Sequence, residues 1–381
     1  MIQLTPPMGW NSWNTFGPNI SEETLKTAAD ALVDTGLRDV GYTYLVIDDC
    51  WALKQRDENG RLVADPVKFP NGIKAVSDYV HAKGLKLGIY SCAGTMTCAQ
   101  YPGSYEYEFI DASTFAEWGI DFLKYDYCFK PEFELGELLY RRMGLALANC
   151  GRDILFSACS WGNDDTKSWI KTTGAHMWRS THDVLDSWES IKTRAKEQFE
   201  IQKFNGMGCF NDMDMLVVGM NGKGNVGLSA SSATQYRTHF ALWALLGSPL
   251  MIGCDIRTAD EETMALLKNK ELIAINQDPA YRQPFMLGGF RNWKVGIDED
   301  HFCFAKFLDG GNIAIGLFNL SDSDSNMFFH LTELGLSRIC GKKLVMTDAF
   351  NGEVVESRAG QFTTFVEKHG CKVYRCRLAD E

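Results

Sequence analysis

From residue 8 to about residue 285, short apolar runs rich in β-branched and aromatic residues alternate with amphipathic stretches, the pattern of βα units around a parallel sheet. Eight such runs can be counted: Met8–Trp13, Tyr42–Asp49, Lys86–Cys92, Phe122–Cys128, Asp153–Cys159, His176–Asp183, Cys209–Met215 and Ser248–Asp255. Their spacing of roughly 20 to 40 residues fits one turn of a (β/α)8 barrel, which takes about 250 residues. A doubly wound sheet is the competing arrangement. Between the runs, Ser21 is placed to cap a helix whose positions Leu25, Ala28, Ala29, Leu32 and Val33 repeat at helical spacing until Gly36 ends it. Residues Ile73–Lys83, Asp111–Trp118, Leu135–Ala148 and Ser229–Leu246 read the same way. After Pro284 the period changes from helical to alternating. Phe302–Phe307, Ile313–Phe318, Lys343–Thr347 and Lys372–Arg377, broken by Asp-Gly-Gly and Asn-Gly, predict antiparallel strands joined by tight turns. The expected fold is α/β: a (β/α)8 TIM barrel over 1–285 followed by a C-terminal antiparallel β-sandwich over 286–381.

Composition narrows function more than fold. With 45% hydrophobic and 23% charged residues among 381, the chain is not a disordered one. Acids outnumber bases 49 to 38, and the net charge of −11 has the wrong sign for a surface held to phosphates, so neither nucleic acid nor an anionic membrane is an expected partner. No apolar run approaches the roughly 20 residues of a membrane span, and MIQLTPPMGW lacks the basic and apolar parts of a signal peptide, so the expected location is the cytoplasm. The 12 cysteines include no CxxC pair and the 7 histidines show no ligand spacing, so no metal or cofactor is expected and most cysteines read as small buried apolar residues. Gly222-Lys-Gly224-Asn-Val-Gly227 matches a dinucleotide fingerprint in letters only; no βαβ unit surrounds it, and the acid due about 20 residues on is Gly247.

A barrel carries its chemistry at the carboxyl ends of its strands, and acids recur there. Leu45-Val46-Ile47 runs into Asp48-Asp49, Phe122-Leu123 into Lys124-Tyr125-Asp126, Trp178-Arg179 into Asp183, and the seventh run into Asp212 and Asp214. One such Asp is as readily a helix cap, but six on four strands point to a site. Residues two apart on a strand share a face, which sets Lys124 beside Asp126, Asp212 beside Asp214, and Arg179 beside Thr181 and Asp183, each cation placed to hold its neighbour ionised. A salt bridge at the barrel rim is the plainer reading of Lys124–Asp126. Two carboxylates in one apolar pocket, one charged and one with a raised pKa, are the minimum equipment for glycoside hydrolysis. Trp10, Trp13, Trp51, Tyr90, Trp161 and Trp178 lie at the same ends, where flat rings suit the C–H face of a sugar. Two other classes compete. A sugar-binding protein needs Trp13 and Asp48/Asp49 but not both Asp126 and Asp183, and a barrel aldolase would use Lys124 as a Schiff base.

The same residues fall in blocks that resemble glycoside hydrolase family 27, the retaining α-galactosidases and α-N-acetylgalactosaminidases. The blocks are PPMGWNSWN (6–14), IDDCW (47–51), RLVADPVKFPNGIKAVSDYVHAKGLKLGIY (61–90), TCAQYPGS (97–104), FAEWGIDFLKYDYC (115–128), WRSTHD (178–183), NDMDMLVVG (211–219) and AINQDP (274–279). The resemblance implies a (β/α)8 catalytic domain with an antiparallel β domain behind it, a small carbohydrate substrate, and removal of terminal α-galactosyl groups by double displacement. Carried over by position, Asp126 would be the nucleophile and Asp183 the general acid/base. Asp48 and Asp49 would bind the 4- and 6-hydroxyls, Lys124, Arg179 and Asp214 other hydroxyls, and Trp13 and Tyr90 would shape the wall. Cys98 is a pocket residue in this scheme, and Cys98 and Cys128 match a pair that is disulfide-bonded in secreted relatives. At Cys159-Ser160-Trp161-Gly162-Asn163 the chain has the Ser of the N-acetylgalactosaminidases, but Asn163 where they have a small Ala. Galactose is the preferred reading and N-acetylgalactosamine at Ser160 the alternative, ahead of a β-L-arabinopyranosidase or a non-catalytic sugar-binding protein. A homo-oligomer stays open.

Overall fold

The computed structural model describes residues 4–288, 291–292, 296–337, 340–357 and 360–380. Eight parallel strands, β1 (Met8–Asn11), β2 (Tyr44–Val46), β3 (Lys86–Cys92), β4 (Phe122–Asp126), β5 (Leu155–Ala158), β6 (Met177–Arg179), β7 (Phe210–Asp212) and β8 (Leu250–Ile252), pair in the order β7-β6-β5-β4-β3-β2-β1-β8. The ring closes just beyond β7, where the Leu216 N–H donates to Met251 O at 2.7 Å and the Gly253 N–H to Leu216 O at 3.0 Å. Helices α1 (Trp13–Phe16), α2 (Glu22–Asp34), α3 (Gly72–Ala82), α4 (Glu108–Glu117), α5 (Gly136–Ala148), α6 (Thr166–Trp169), α7 (Trp188–Ile201) and α8 (Ala233–Leu246) come between the strands, and α9 (Glu261–Leu267) and α10 (Lys270–Asn276) follow β8. This is the TIM barrel expected from the eight runs.

Each strand lies inside its predicted run. Only β3 fills its run completely; the others stop short, although the next N–H still reaches a neighbouring strand, as from Ser12 to Val46 O, Ile47 to Gly88 O and Ser180 to Asp212 O, before the chain turns to side chains. After β2, for example, Asp48 N donates to Ser12 Oγ, Asp49 N to Asp48 Oδ1 and Cys50 N to Asp49 Oδ1. The Ser21 hydroxyl caps α2 by accepting from Thr24 N. Helix α4 starts three residues earlier than its apolar period, since its first turn is fixed by buried Glu108 against Arg142 at 2.7 Å. Helix α7 lies outside the stretches predicted as helix; it buries Trp188, Ile191, Ala195 and Gln198 within an otherwise polar stretch. No described helix is long and apolar enough to cross a membrane.

Strand alternation sorts the barrel. Tyr44, Val46, Phe122, Leu155, Met177, Phe210 and Met251 form one apolar cluster inside the ring, while the residues between them, such as Leu45, Leu123, Phe156 and Trp178, pack outward beneath the helices. Moving along each strand by two, the inner row turns polar: Phe122 is followed by Lys124 and Asp126, Leu155 by Ser157, Met177 by Arg179, and Phe210 by Asp212. The apolar layer is the floor on which the polar ends stand.

Strands β9 (Phe285–Leu287), β10 (Arg291–Asn292), β11 (Gly296–Ile297), β12 (His301–Phe307), β13 (Ile313–Asn319), β14 (Ser325–His330), β15 (Lys342–Asp348), β16 (Val354–Ser357), β17 (Gln361–Val366) and β18 (Cys371–Asp380) are antiparallel. Six form a sheet in the order β16-β15-β18-β13-β12-β9, and β14 pairs with β17. Both faces of the large sheet are apolar. Ile313, Ile315 and Leu317 pack toward Met327 and Phe329 of β14, whereas Phe302, Phe304, Ala314 and Phe318 join the barrel core beside α8. At Gly316 a Cβ would lie 2.7 Å from Leu245 Cδ2, so that close approach requires glycine.

Candidate active site

A cavity of about 100 Å³ opens at the carboxyl ends of the strands. Its wall brings together Trp13, Asp48, Asp49, Tyr90, Cys98, Lys124, Asp126, Arg179, Asp183 and Asp214, residues that the sequence scatters over about 200 positions. Of the residues expected in a site, Ser160 is missing from that wall. Its side chain is fully buried and its hydroxyl shares a 2.6 Å hydrogen bond with Thr166 Oγ1, so Cys159 and Trp161 form the wall there instead. Trp10, Trp51 and Trp178 are also corrected. They belong to the core outside the ring: Trp10 and Trp178 alternate with inward-facing strand positions, and Trp51, in the loop after β2, is held there by its indole donating to Tyr90 O. A larger cavity of about 1150 Å³, lined by Tyr44, Lys86, Arg152 and His176 among others, sits at the amino-terminal ends of the strands and contains none of the strand-end acids.

On one side of the pocket the acids are locked. Asp126 is 6% exposed; its Oδ1 accepts from Tyr127 N at 2.9 Å and its Oδ2 from the Tyr90 hydroxyl at 2.9 Å. Lys124 reaches past its strand neighbour to Asp48, with Nζ 2.7 Å from Asp48 Oδ2, and Asn11 Nδ2 donates to the same oxygen at 2.7 Å. The expected Lys124–Asp126 pair is therefore a Lys124–Asp48 pair, because the long side chain spans from β4 to the end of β2. Asp49 Oδ2 accepts from Ala99 N at 3.0 Å. The loop supplying that N–H is tied down by a Cys98–Cys128 disulfide, with Cα atoms 5.2 Å apart, and Cys98 Sγ lies 3.6 Å from Asp126 Oδ2. A Cβ on Gly94 would fall 2.0 Å from Cys128 O, which lets these two loops meet. Of the other cysteines, only Cys150 and Cys340 are not buried.

On the other side, Arg179 is shared. Its Nη2 donates to Asp183 Oδ1 at 2.8 Å, and its Nη1 lies 3.1 Å from Asp214 Oδ1. Strand β6 ends at Arg179, so this contact arises from the loop and not from a continued strand face. Asp214 sits in the left-handed region at φ +79°, and its Oδ2 accepts from Val184 N at 2.7 Å. Asp183 itself is 68% exposed.

Burial pushes Asp126 up to about 6, against the Lys124 charge and its two hydrogen bonds. Burial likewise raises Asp49 and Asp214, and takes Asp212 up to about 7. For Asp183, partial burial is outweighed by the Arg179 guanidinium, and the carboxyl is held below its usual range. Lys124 is raised: burial acts to lower it, but the Asp48 carboxylate wins. A Schiff-base lysine needs the opposite, so the aldolase reading loses its nucleophile.

Sequence reasoning missed Asn11 and Asn14, uncharged members of the PPMGWNSWN block in β1 and α1, and Val184, Leu185 and Val226, which carry no charge and reach the site through their loops.

Comparison with known proteins agrees with this geometry. Residues 5–278 match the family described as alpha galactosidase A, and residues 298–376 the alpha galactosidase C-terminal beta sandwich domain. The chain is 41% identical to the α-galactosidase of Cyamopsis tetragonoloba over 97% of its own length and 85% of the relative's. α-Galactosidase I of Mortierella vinacea superposes with a TM-score of 0.87 at 32% identity, covering 98% of this chain and 96% of that one. The α-galactosidase of Saccharomyces cerevisiae with raffinose superposes with a TM-score of 0.86 at 27% identity, covering 98% of each. With a matching barrel, a matching C-terminal sheet and identities above 40% over nearly the whole chain, this protein belongs to glycoside hydrolase family 27, the α-galactosidases.

Proposed function

We propose that the chain is a retaining exo-α-galactosidase that removes terminal α-galactosyl groups from short oligosaccharides through a covalent galactosyl-Asp126 intermediate. The observation that carries this is the joint presence, on one small pocket, of two carboxyls in unlike surroundings: Asp126 buried and fixed, Asp183 exposed and held by one arginine. The yeast relative's complex with raffinose, an α-galactoside, supports the substrate class. The catalytic unit is read as 1–285 and the β domain as 286–381; the pairing with β12 of β9, which begins at Phe285, supports a division within one residue of that point.

In this reading Asp126 attacks the anomeric carbon while Asp183 gives a proton to the leaving oxygen, leaving a β-linked galactosyl ester. Water then attacks from the α face, Asp183 takes its proton, and the product keeps the α configuration. In the free protein Arg179 favours the Asp183 carboxylate, so the acid form has to be made on binding. A galactosyl ring that takes hydrogen bonds from Arg179 and excludes water from Asp183 raises its proton affinity by both effects. Esterification removes the Asp126 charge and lowers it again, which suits the change from acid to base. Asp48 and Asp49 bind the 4- and 6-hydroxyls, Lys124, Arg179 and Asp214 the remaining ones, with Trp13, Tyr90 and Cys98 as wall.

With the Ser160 hydroxyl turned to Thr166 and Trp161 on the wall, the pocket favours galactose over its 2-acetamido analogue. The test compares kcat/KM on p-nitrophenyl α-galactoside, α-N-acetylgalactosaminide and β-L-arabinopyranoside, with NMR of the sugar first released. The galactoside is expected to lead and α-galactose to appear first. Preference for the acetamido sugar would hand the specificity to Ser160, first-formed β-galactose would remove the double displacement, and inactivity on all three would leave a sugar-binding protein.

A further inference from the structure

Beneath the sugar pocket, at the end of β7, lies a buried acid that does not reach the pocket wall. Asp212 is 6% exposed, and its Oδ1 accepts the Asp214 N–H at 2.9 Å. Asp214 occupies the left-handed region, which Asp visits more readily than most residues but which still costs energy that its contacts must offset. What this conformation achieves is visible in the contacts of Asp214. One carboxylate oxygen lies 3.1 Å from Arg179 Nη1, and the other accepts the Val184 N–H at 2.7 Å, next in the chain to Asp183. The Trp243 indole fixes the same residue from outside by donating to Asp214 O at 2.7 Å. A cavity of about 20 Å³ lies between Asp212, Asp214, Arg179 and Lys124 on one side and Phe122, Met177, Met215 and Met251 on the other, and the buried Arg179 Nε has no protein partner.

We propose that Asp212 is a positioning residue: by accepting the Asp214 N–H it holds Asp214 in its left-handed conformation, so that Asp214 fixes Arg179 and the Val184 N–H and thereby aims Asp183 at the leaving-group oxygen. The inference rests on the reading of Asp183 as general acid/base. It separates two demands that a simple pocket inventory merges. Asp126 is aimed by hydrogen bonds to itself, whereas Asp183 is aimed through the residues on either side of it.

The test uses leaving-group dependence, which a general loss of fold or binding does not move. D212L keeps the branched shape but has no acceptor; D212N keeps the acceptor and drops the charge. In D212L, kcat/KM on an unactivated galactoside such as raffinose should fall roughly 10- to 100-fold, a large share of what general acid catalysis supplies. On 2,4-dinitrophenyl α-galactoside, whose leaving group needs no proton, only the part due to looser sugar binding by Arg179 and Asp214 should remain, a loss at least about threefold smaller than on raffinose. D212N should recover both. If D212L does not fold, D212E, whose extra methylene matches the small cavity, displaces the acceptor instead and should show the same selective loss. Equal losses on both substrates, no loss in either acceptor variant, or a selective loss in D212N would overturn the proposal. The underlying reading is checked apart: Asp183→Gly must show the leaving-group dependence itself, and if it does not, the acid/base assignment has failed and not the role of Asp212.

Discussion

The two halves of the pocket hold the two proposed catalytic carboxyls, Asp126 and Asp183, in opposite ways. Around β2, β3 and β4, Asp48, Asp49 and Asp126 each receive at least one backbone N–H, and Asp126 is buried. Around β6 and β7, Asp183 is mostly exposed and its charged partner is Arg179, which also serves Asp214. The first arrangement fixes a position, since backbone donors move only with the strand. The second fixes a charge state that substrate can alter, because one guanidinium contact at an exposed site is easily exchanged. A nucleophile benefits from the first and a group that must give and then take a proton from the second.

The largest effects should come from removing each carboxyl, and they should differ in kind. Asp126→Gly should lower kcat/KM on the order of ten-thousand-fold, and azide should restore turnover of an activated galactoside by forming β-galactosyl azide. Asp183→Gly with azide should give α-galactosyl azide instead, the azide attacking the galactosyl ester from the opposite face. NMR of the two products checks this, and the same anomer from both variants would break the comparison.

Next in size is Lys124→Met. It leaves the Asp48 carboxylate buried without its cation and should cost about 3 kcal/mol in thermal or urea unfolding. It should also shift upward the limb of the kcat/KM pH profile that Asp126 sets, because the Lys124 charge helps keep Asp126 ionised. Tyr90→Phe removes one hydrogen bond to Asp126, worth about 1 kcal/mol, and should move that limb upward by less. A limb that moves in neither variant would mean that another group sets it.

A further effect is on the pH dependence of stability. Burial raises Asp126 above its unfolded value, so the folded state favours the proton, and this contribution is present below pH about 4. It is lost as pH rises through about 6. The melting temperature of Asp126→Asn relative to the natural chain should therefore increase between pH 4 and 7. A constant difference would show that Asp126 is already ionised without penalty.

The period of apolar residues was enough to read the barrel and the antiparallel domain, because a strand buried on both faces and a half-buried helix differ in period whatever their neighbours are. Polarity at strand ends was enough to find Asp48, Asp49, Asp126, Asp183 and Asp214, since an ionisable residue closing an apolar strand has few structural reasons to be there. Strand lengths were less legible, as with β2 and β6, because a strand ends where its lateral partner ends. Helix α7 was illegible, with its apolar contacts hidden in a polar stretch.

By itself, then, the sequence determined the layering of the molecule and the chemical kinds gathered at one end of it. Only the tertiary structure decided the partners. Lys124 could have paired with Asp126 two residues on, but three-dimensional reach gave it to Asp48. Ser160 stood in the expected block, yet its hydroxyl turned to Thr166. Asp212 looked like one more strand-end acid until the conformation of Asp214 gave it a purpose. Periodicity is a property of one segment, readable along the chain, whereas an ion pair or a hydrogen bond depends on distances between segments that only the closed barrel sets.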